Sequence, residues 1–232
     1  MARLPRLGLS GWPHLLVQRV HDGQLLARDD HDRQAIIDAL KEGARQHGVA
    51  VHAYNLAPDH LHLLATPTTD DGLSLLLQSL GRRYVASYNR RHGRQGALWA
   101  GRYRTTVLDP ARYLLDAMVF IEQHAARAGA INLAQDDNWS SAQHHLGVKA
   151  DPLVSDHALF WALGNTPFER EAMWRRRLES GLSVDEIDRL SQAMHKGWAL
   201  MAEGDAASLA LSAGRRLSPL LRGRPRKAPA AP

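Results

Sequence analysis

The sequence predicts an α+β fold, with helices packed on an antiparallel sheet and a helical extension behind it. Three observations carry this. Short apolar runs bounded by turn residues alternate with longer stretches in which apolar residues recur at helical spacing. Two of the short runs lie back to back across Ala57-Pro58-Asp59, as a hairpin of adjacent antiparallel strands requires. The regular strand-helix alternation of a parallel barrel is missing.

Residues 14–20 are rich in Leu and Val and stop at His21-Asp22-Gly23, which gives a first strand. A helix follows, capped by Asp30 or Asp32, with Ile36, Ile37, Leu40 and Ala44 on one face and Gly48 at its end. Residues 49–56 and 60–65 are the hairpin strands. Leu73, Leu76, Leu77, Leu80, Tyr84 and Tyr88 then form the stripe of a long helix closed by His92-Gly93. Another strand falls within residues 98–108, and Asp109-Pro110 opens a third helix running to about Gly129. Residues 147–156 read as a linker, and residues 166–180 and 183–198 as two further helices, the second signalled by the capping box Ser183-Val184-Asp185-Glu186. The domain expectation is residues 1–147, a helical region 148–212, and a basic tail 213–232 with the composition of a disordered segment.

A chain of 232 residues buries a core without disulfides, and it has no cysteine. That excludes a disulfide scaffold, a cysteine-type zinc finger and a thiol nucleophile, and makes the cytoplasm the default compartment. Lys and Arg outnumber Asp and Glu by 29 to 24, which fits a polyanionic partner. No stretch approaches the length of a membrane span, so no membrane partner is expected.

In a strand, residues two apart share a face, so His60 and His62 present two imidazoles side by side while Leu61 and Leu63 face the other way. This is a metal-ligand geometry; an unliganded pair in a chain with 13 histidines is the plainer reading.

The segment Asn55-Leu56-Ala57-Pro58-Asp59-His60-Leu61-His62-Leu63-Leu64 resembles the hairpin of IS200-like Y1 transposases, in particular the REP-associated tyrosine transposases. Residues 89–103, the stretch from Tyr113 to Gly129, and Gly223-Arg224-Pro225-Arg226-Lys227 resemble the same family in the same order. The resemblance implies the HUH endonuclease fold, a ferredoxin- or RRM-like antiparallel sheet packed with helices. It also implies a divalent cation, Mg2+ or Mn2+, held by the two histidines, and a tyrosine that attacks single-stranded DNA to form a 5′-phosphotyrosyl bond. The implied partner is a DNA hairpin with a single-stranded flank, handled by a monomer or a homodimer.

At the place of the family's nucleophile the chain reads Val119-Phe120-Ile121, so the attacking hydroxyl is missing. Phe120 is a deliberate exchange, a natural silencing, or a sign that another tyrosine acts. The best substitute is Tyr113, seven residues earlier on nearly the same helix face, although about 10 Å along the axis. Four residues after Phe120, His124 stands where the family often has a third metal ligand; a histidine placed to favour the negative helix end is the alternative.

Arg82, Arg83, Arg90, Arg91 and Arg94, followed by Arg102 and Arg104, form a cluster suited to phosphate contact, with Tyr84, Tyr88, Trp99 and Tyr103 interleaved for base stacking or for the core. Arg222, Arg224 and Arg226 lie in an AT-hook-like or generic basic tail. The reading is a single-strand DNA endonuclease and strand-transferase of the Y1 type, inactive as written because of Phe120, or a non-catalytic hairpin-binding protein derived from one.

Overall fold

The computed structural model describes residues 7–202 and 216–218. Arg222, Arg224 and Arg226 lie outside them. The first strand, β1 (His14–Arg19), leads to helix α1 (Asp30–Gln46) and then to the hairpin of β2 (Val49–Leu56) and β3 (His60–Pro67). The cap of α1 is Asp29 rather than Asp30 or Asp32. Asp29 is the last extended residue, and its carboxylate accepts the Asp32 N–H at 3.0 Å. The long second helix is α2 (Gly72–Leu80), a π-helical turn (Gly81–Val85) and α3 (Ala86–Arg91) in continuous sequence. Its extra residue per turn keeps Tyr84 and Tyr88 on the buried side.

β4 is only Arg104–Val107, because residues 98–103 form a loop in which Trp99 bridges Val20 and Gly101 takes a positive φ of 119°. Asp109 caps α4 (Pro110–Glu122), as its sequence signals. The expected third helix does not run unbroken to Gly129: it breaks at Gln123, whose side-chain amide donates to the Leu178 carbonyl, and resumes as the single turn α5 (His124–Arg127).

The strands form one sheet in the order β2-β3-β1-β4, every neighbouring pair antiparallel. Strand alternation divides its side chains between two cores. On one face Leu16, Leu61, Leu63 and Ala65 meet Ile36 and Leu40 of α1 and Leu73, Leu76 and Leu80 of α2. On the other, Leu15, Val17 and Leu64 meet Leu114, Met118, Phe120 and Ile121 of α4.

The C-terminal third completes this second core and borders the sheet. After α6 (Ala142–His145) and α7 (Ala158–Trp161), helix α8 (Pro167–Ser180) contributes Trp174 and Leu178, and α9 (Val184–Lys196) contributes Leu190 and Met194. Both long helices start in capping boxes, at Thr166 and Ser183. The irregular segment 147–156 lies along the β2 edge, where Ser155 N–H donates to Val51 O at 2.7 Å. Beyond α9 the chain follows β4, with Leu200 N–H donating to Val107 O at 2.8 Å. Both edges of the sheet therefore have backbone partners, which removes a site for unwanted strand pairing.

One polar cluster lies inside the second core. The buried Glu122 carboxylate accepts from Ser141 Oγ at 2.6 Å, His145 Nδ1 at 2.5 Å and Trp174 Nε1 at 2.8 Å. Burial alone would lower the pKa of His145, but the Glu122 and Asp156 carboxylates outweigh it and raise it to about 9. A folded-state value above the ordinary 6.5 means that the charged ring's contribution is complete below pH 6.5 and is lost as pH rises through about 9. The free energy of unfolding is therefore expected to fall by about 3 kcal/mol between pH 6.5 and pH 9.5, and Glu122→Gln should flatten that slope. Urea unfolding across the interval measures both; a flat profile in the parent chain would show that His145 is not charged.

Candidate metal centre and nucleic-acid interface

Register and alternation place the histidines. His60 pairs with Arg19 of β1 and His62 with Val17, and both histidine rings share a face with Leu64, toward α4. The break at Gln123 and the turn of α5 bring His124 over the same spot. The ring centroids are 4.6 Å apart for His60 and His62, 4.7 Å for His60 and His124, and 4.8 Å for His62 and His124. One nitrogen from each ring lies within 4.8 Å of the other two.

The environment keeps these rings neutral. Desolvation lowers the pKa of all three, to about 4 at His124, where the neighbouring His60 adds to the effect. At His60 the Asp59 carboxylate partly offsets burial, and it lies 2.6 Å from Nδ1, so that nitrogen carries the proton and Nε2 is left as a lone-pair donor. His62 has its Nδ1 enclosed without a partner. Three neutral imidazoles converging on one point, one of them held by a carboxylate behind it, fit a divalent transition-metal ion.

Two other groups with ligand-type side chains do not fit. In the set of Asp29, His31 and Asp32, Arg91 donates to Asp29 Oδ1 and Oδ2 at 2.7 Å and to Asp32 Oδ1 at 2.5 Å, and His92 takes Asp32 Oδ2 at 2.7 Å. In the set of His144, His145 and Asp156, His144 Nδ1 accepts the Asp151 N–H, which leaves the proton on the Nε2 that faces Asp156 at 3.3 Å. His145 is held charged between two carboxylates. Neither histidine of that set offers Asp156's neighbourhood a lone pair.

The three-histidine site opens into a cleft of about 350 Å³. Phe120 lines it, with its ring edge-on to His62 at 5.7 Å. All five tyrosines are elsewhere. Tyr54 donates to Asp151 Oδ2 at 2.5 Å, Tyr84 to Leu26 O, and Tyr88 to Leu25 O at 3.0 Å, while the Tyr103 hydroxyl pairs with Ser74 Oγ. Tyr113 is half-buried against the second core and is not among the cleft residues.

The arginines expected on DNA divide into groups. Arg82, Arg83, Arg90, Arg91 and Arg94 belong to the α2–α3 layer, on the opposite side of the sheet from the histidines. Arg91 there is committed to Asp29 and Asp32, and Arg94 to Asn89 and Gln24. Arg82, Arg90 and Arg102 are exposed and have no acidic partner among the described residues. Arg104, on β4, donates to His195 O at 3.1 Å beside the cleft.

Sequence reasoning missed the far wall of the cleft, formed by α9 with Asp188, Ser191 and His195. Their spacing of three and four is a helical polar stripe, legible as such, but nothing local links it to His60, more than 120 positions earlier. It also missed Arg127, which lines the cleft beside Phe120.

These features define a metal-type histidine site on the central strands of an antiparallel α+β domain. The family model of IS200-like transposases matches residues 14–124, so this stretch of the chain is similar to that family. Among solved structures, a REP-associated tyrosine transposase bound to a REP hairpin superposes with a TM-score of 0.55, covering 68% of this chain and 92% of that one at 14% identity. That likeness shows a shared fold. A putative transposase from Deinococcus radiodurans R1 aligns with a TM-score of 0.35 and 24% identity over 50% of this chain and 92% of that one. No curated protein sequence matches.

Because Asp59 fixes the ring of His60, Asp59→Asn is expected to weaken Mn2+ binding by about 10- to 100-fold with little change in folding. Calorimetric titration of both forms with Mn2+ measures it, and equal affinities would remove Asp59 from the site.

Proposed function

We propose that this chain is a Y1-type single-strand DNA endonuclease and strand-transferase whose nucleophile has been replaced by Phe120, so that in this form it binds hairpin DNA and metal without cutting. The observation that carries the reading is the position of the Phe120 ring, edge-on to His62 in a cleft where no tyrosine hydroxyl is present. The family supplies the reaction class, and the hairpin in the related complex supplies the form of DNA.

In this reading His60, His62 and His124 hold Mg2+ or Mn2+; an all-imidazole donor set favours Mn2+, the softer of the two. The bound ion supplies charge that polarises a phosphate. Asp59 orients His60, and the buried Glu122 network holds the end of α4 on which position 120 stands. With tyrosine at that position, its oxygen would attack phosphorus as the bond to O3′ breaks. The products would be a 5′-phosphotyrosine and a free 3′-hydroxyl, so the energy of the broken bond is kept for rejoining. Phenylalanine preserves the packing and removes the oxygen.

The exposed Arg82, Arg90 and Arg102 are assigned to DNA phosphates outside the cleft. Hairpin binding in gel shifts is therefore expected to weaken steeply with salt; salt-independent binding, or none, would remove DNA from the reading. For the chemistry, labelled hairpin with a single-stranded flank and Mn2+ is expected to give no covalent adduct with the chain as written and an adduct with Phe120→Tyr. An adduct in both would move the nucleophile elsewhere, Tyr113 first. In the tyrosine form, His60→Ala with His62→Ala should abolish cleavage while leaving hairpin affinity within a few-fold.

A further inference from the structure

Phe120, His124 and Arg127 are spaced four and three apart, and all three line the cleft. Arg127 Nη2 donates to Phe120 O at 2.6 Å, and its guanidinium lies 4.8 Å from the centre of the Phe120 ring. One of its five N–H groups is thereby used. Among the described residues no carboxylate pairs with it. The acids nearest this region do not serve: Asp59 is committed to His60, and Asp188 lines the cleft without forming an ion pair. Arg91 is matched to Asp29 and Asp32, and Arg177 to Asp116, whereas Arg170, like Arg127, meets a carbonyl and an aromatic ring, those of Gly164 and Trp161, but outside the cleft.

Arg127 brings a positive charge to a cleft lined by neutral imidazoles, and it would repel a cation held by them. The arrangement becomes favourable when an anion lies between the two positive groups. A phosphodiester has that charge and two non-bridging oxygens, and the planar fork of arginine suits one of them while the ion takes the other.

We propose that Arg127 is the phosphate-gripping residue of the three-histidine cleft, facing the metal-bound side of the same phosphate of single-stranded DNA. This rests on the reading that the histidines hold a divalent cation and that the cleft takes DNA. It adds a residue that touches the reacting group. Arg127 also remains useful without a nucleophile, because the grip concerns binding.

The test measures the affinity of the full chain for a fluorescein-labelled single-stranded oligothymidylate, with and without Mn2+, and Mn2+ affinity without DNA. In the parent chain Mn2+ is expected to strengthen oligonucleotide binding, and His60→Ala with His62→Ala to erase that gain. Arg127→Met keeps an unbranched stem against Phe120 but no charge, and is expected to lower the Mn2+-dependent gain about tenfold or more. It should leave Mn2+ binding alone unchanged or slightly tighter, because a repelling charge is gone. Arg127→Lys should recover part of the gain. A purely packing role for Arg127 predicts the opposite order, with methionine at least as good as lysine. If the gain exists and depends on the histidines but survives Arg127→Met, the arginine assignment alone is overturned. If Mn2+ gives no gain in the parent chain, or the histidine variant keeps it, the metal reading of the cleft fails and the arginine proposal goes with it.

Discussion

Glu122 is a carboxylate buried from solvent in the second core, and everything that matters at the cleft hangs from its position. Leaving such a charge unpaired inside a protein costs several kcal/mol, so the fold must bring donors to it. It does so with a hydroxyl, an imidazolium and an indole, from Ser141, His145 and Trp174. Phe120 is two residues before Glu122 and His124 two after it. Fixing the carboxylate therefore fixes the end of α4, and through it the height of the phenyl ring and the third histidine above β3. The C-terminal third of the chain is needed for this, because Trp174 belongs to α8 and Asp156, which shares the charge of His145, lies in the loop before α7.

The sheet does the complementary work. Strand alternation sends His60 and His62 to the α4 side while Leu61 and Leu63 anchor β3 in the opposite core. Rigid alternation along the central strand β3 gives two imidazoles whose spacing hardly varies. The third imidazole comes from the turn after the break at Gln123, where the glutamine side chain bonds to α8. The cleft is thus half sheet and half helix termini, and α9 adds a polar wall that neither half supplies.

Much of this was legible in the sequence, and what was legible is local. The hairpin, the parity of the two histidines, the Asp109-Pro110 start and the Ser183 capping box all depend on residues within a few positions of one another. The cap of α1 was off by one residue because Asp29, Asp30 and Asp32 are all cap-type residues and nothing local says which is the last extended one; it is Asp29, whose carboxylate takes the Asp32 N–H and also pairs with Arg91. Arg91 read as part of a charge run for the same reason. The Glu122 partners are 19, 23 and 52 positions away, and no periodicity connects them. The α9 wall is hidden likewise: a polar stripe on an amphipathic helix looks like solvent-facing surface until the sheet lies beneath it.

Phe120 and a tyrosine at the same position differ by one oxygen, and that difference has little reason to disturb any of this. Phe120 is 5% exposed and packs through its ring, which meets the second core, the edge of His62 and the guanidinium of Arg127. A tyrosine ring has the same shape, and its hydroxyl would add one polar atom toward the cleft, where water can replace it. Removing that atom leaves no cavity and no unsatisfied buried group, the two usual sources of large destabilisation. Stability therefore cannot distinguish the two residues, and neither can the histidine site, whose rings are held by Asp59, the strand pleat and the break at Gln123. Chemistry and architecture are separable here at a single side chain. On the proposed function, a chain of this kind could exchange its nucleophile and keep the contacts proposed to hold DNA.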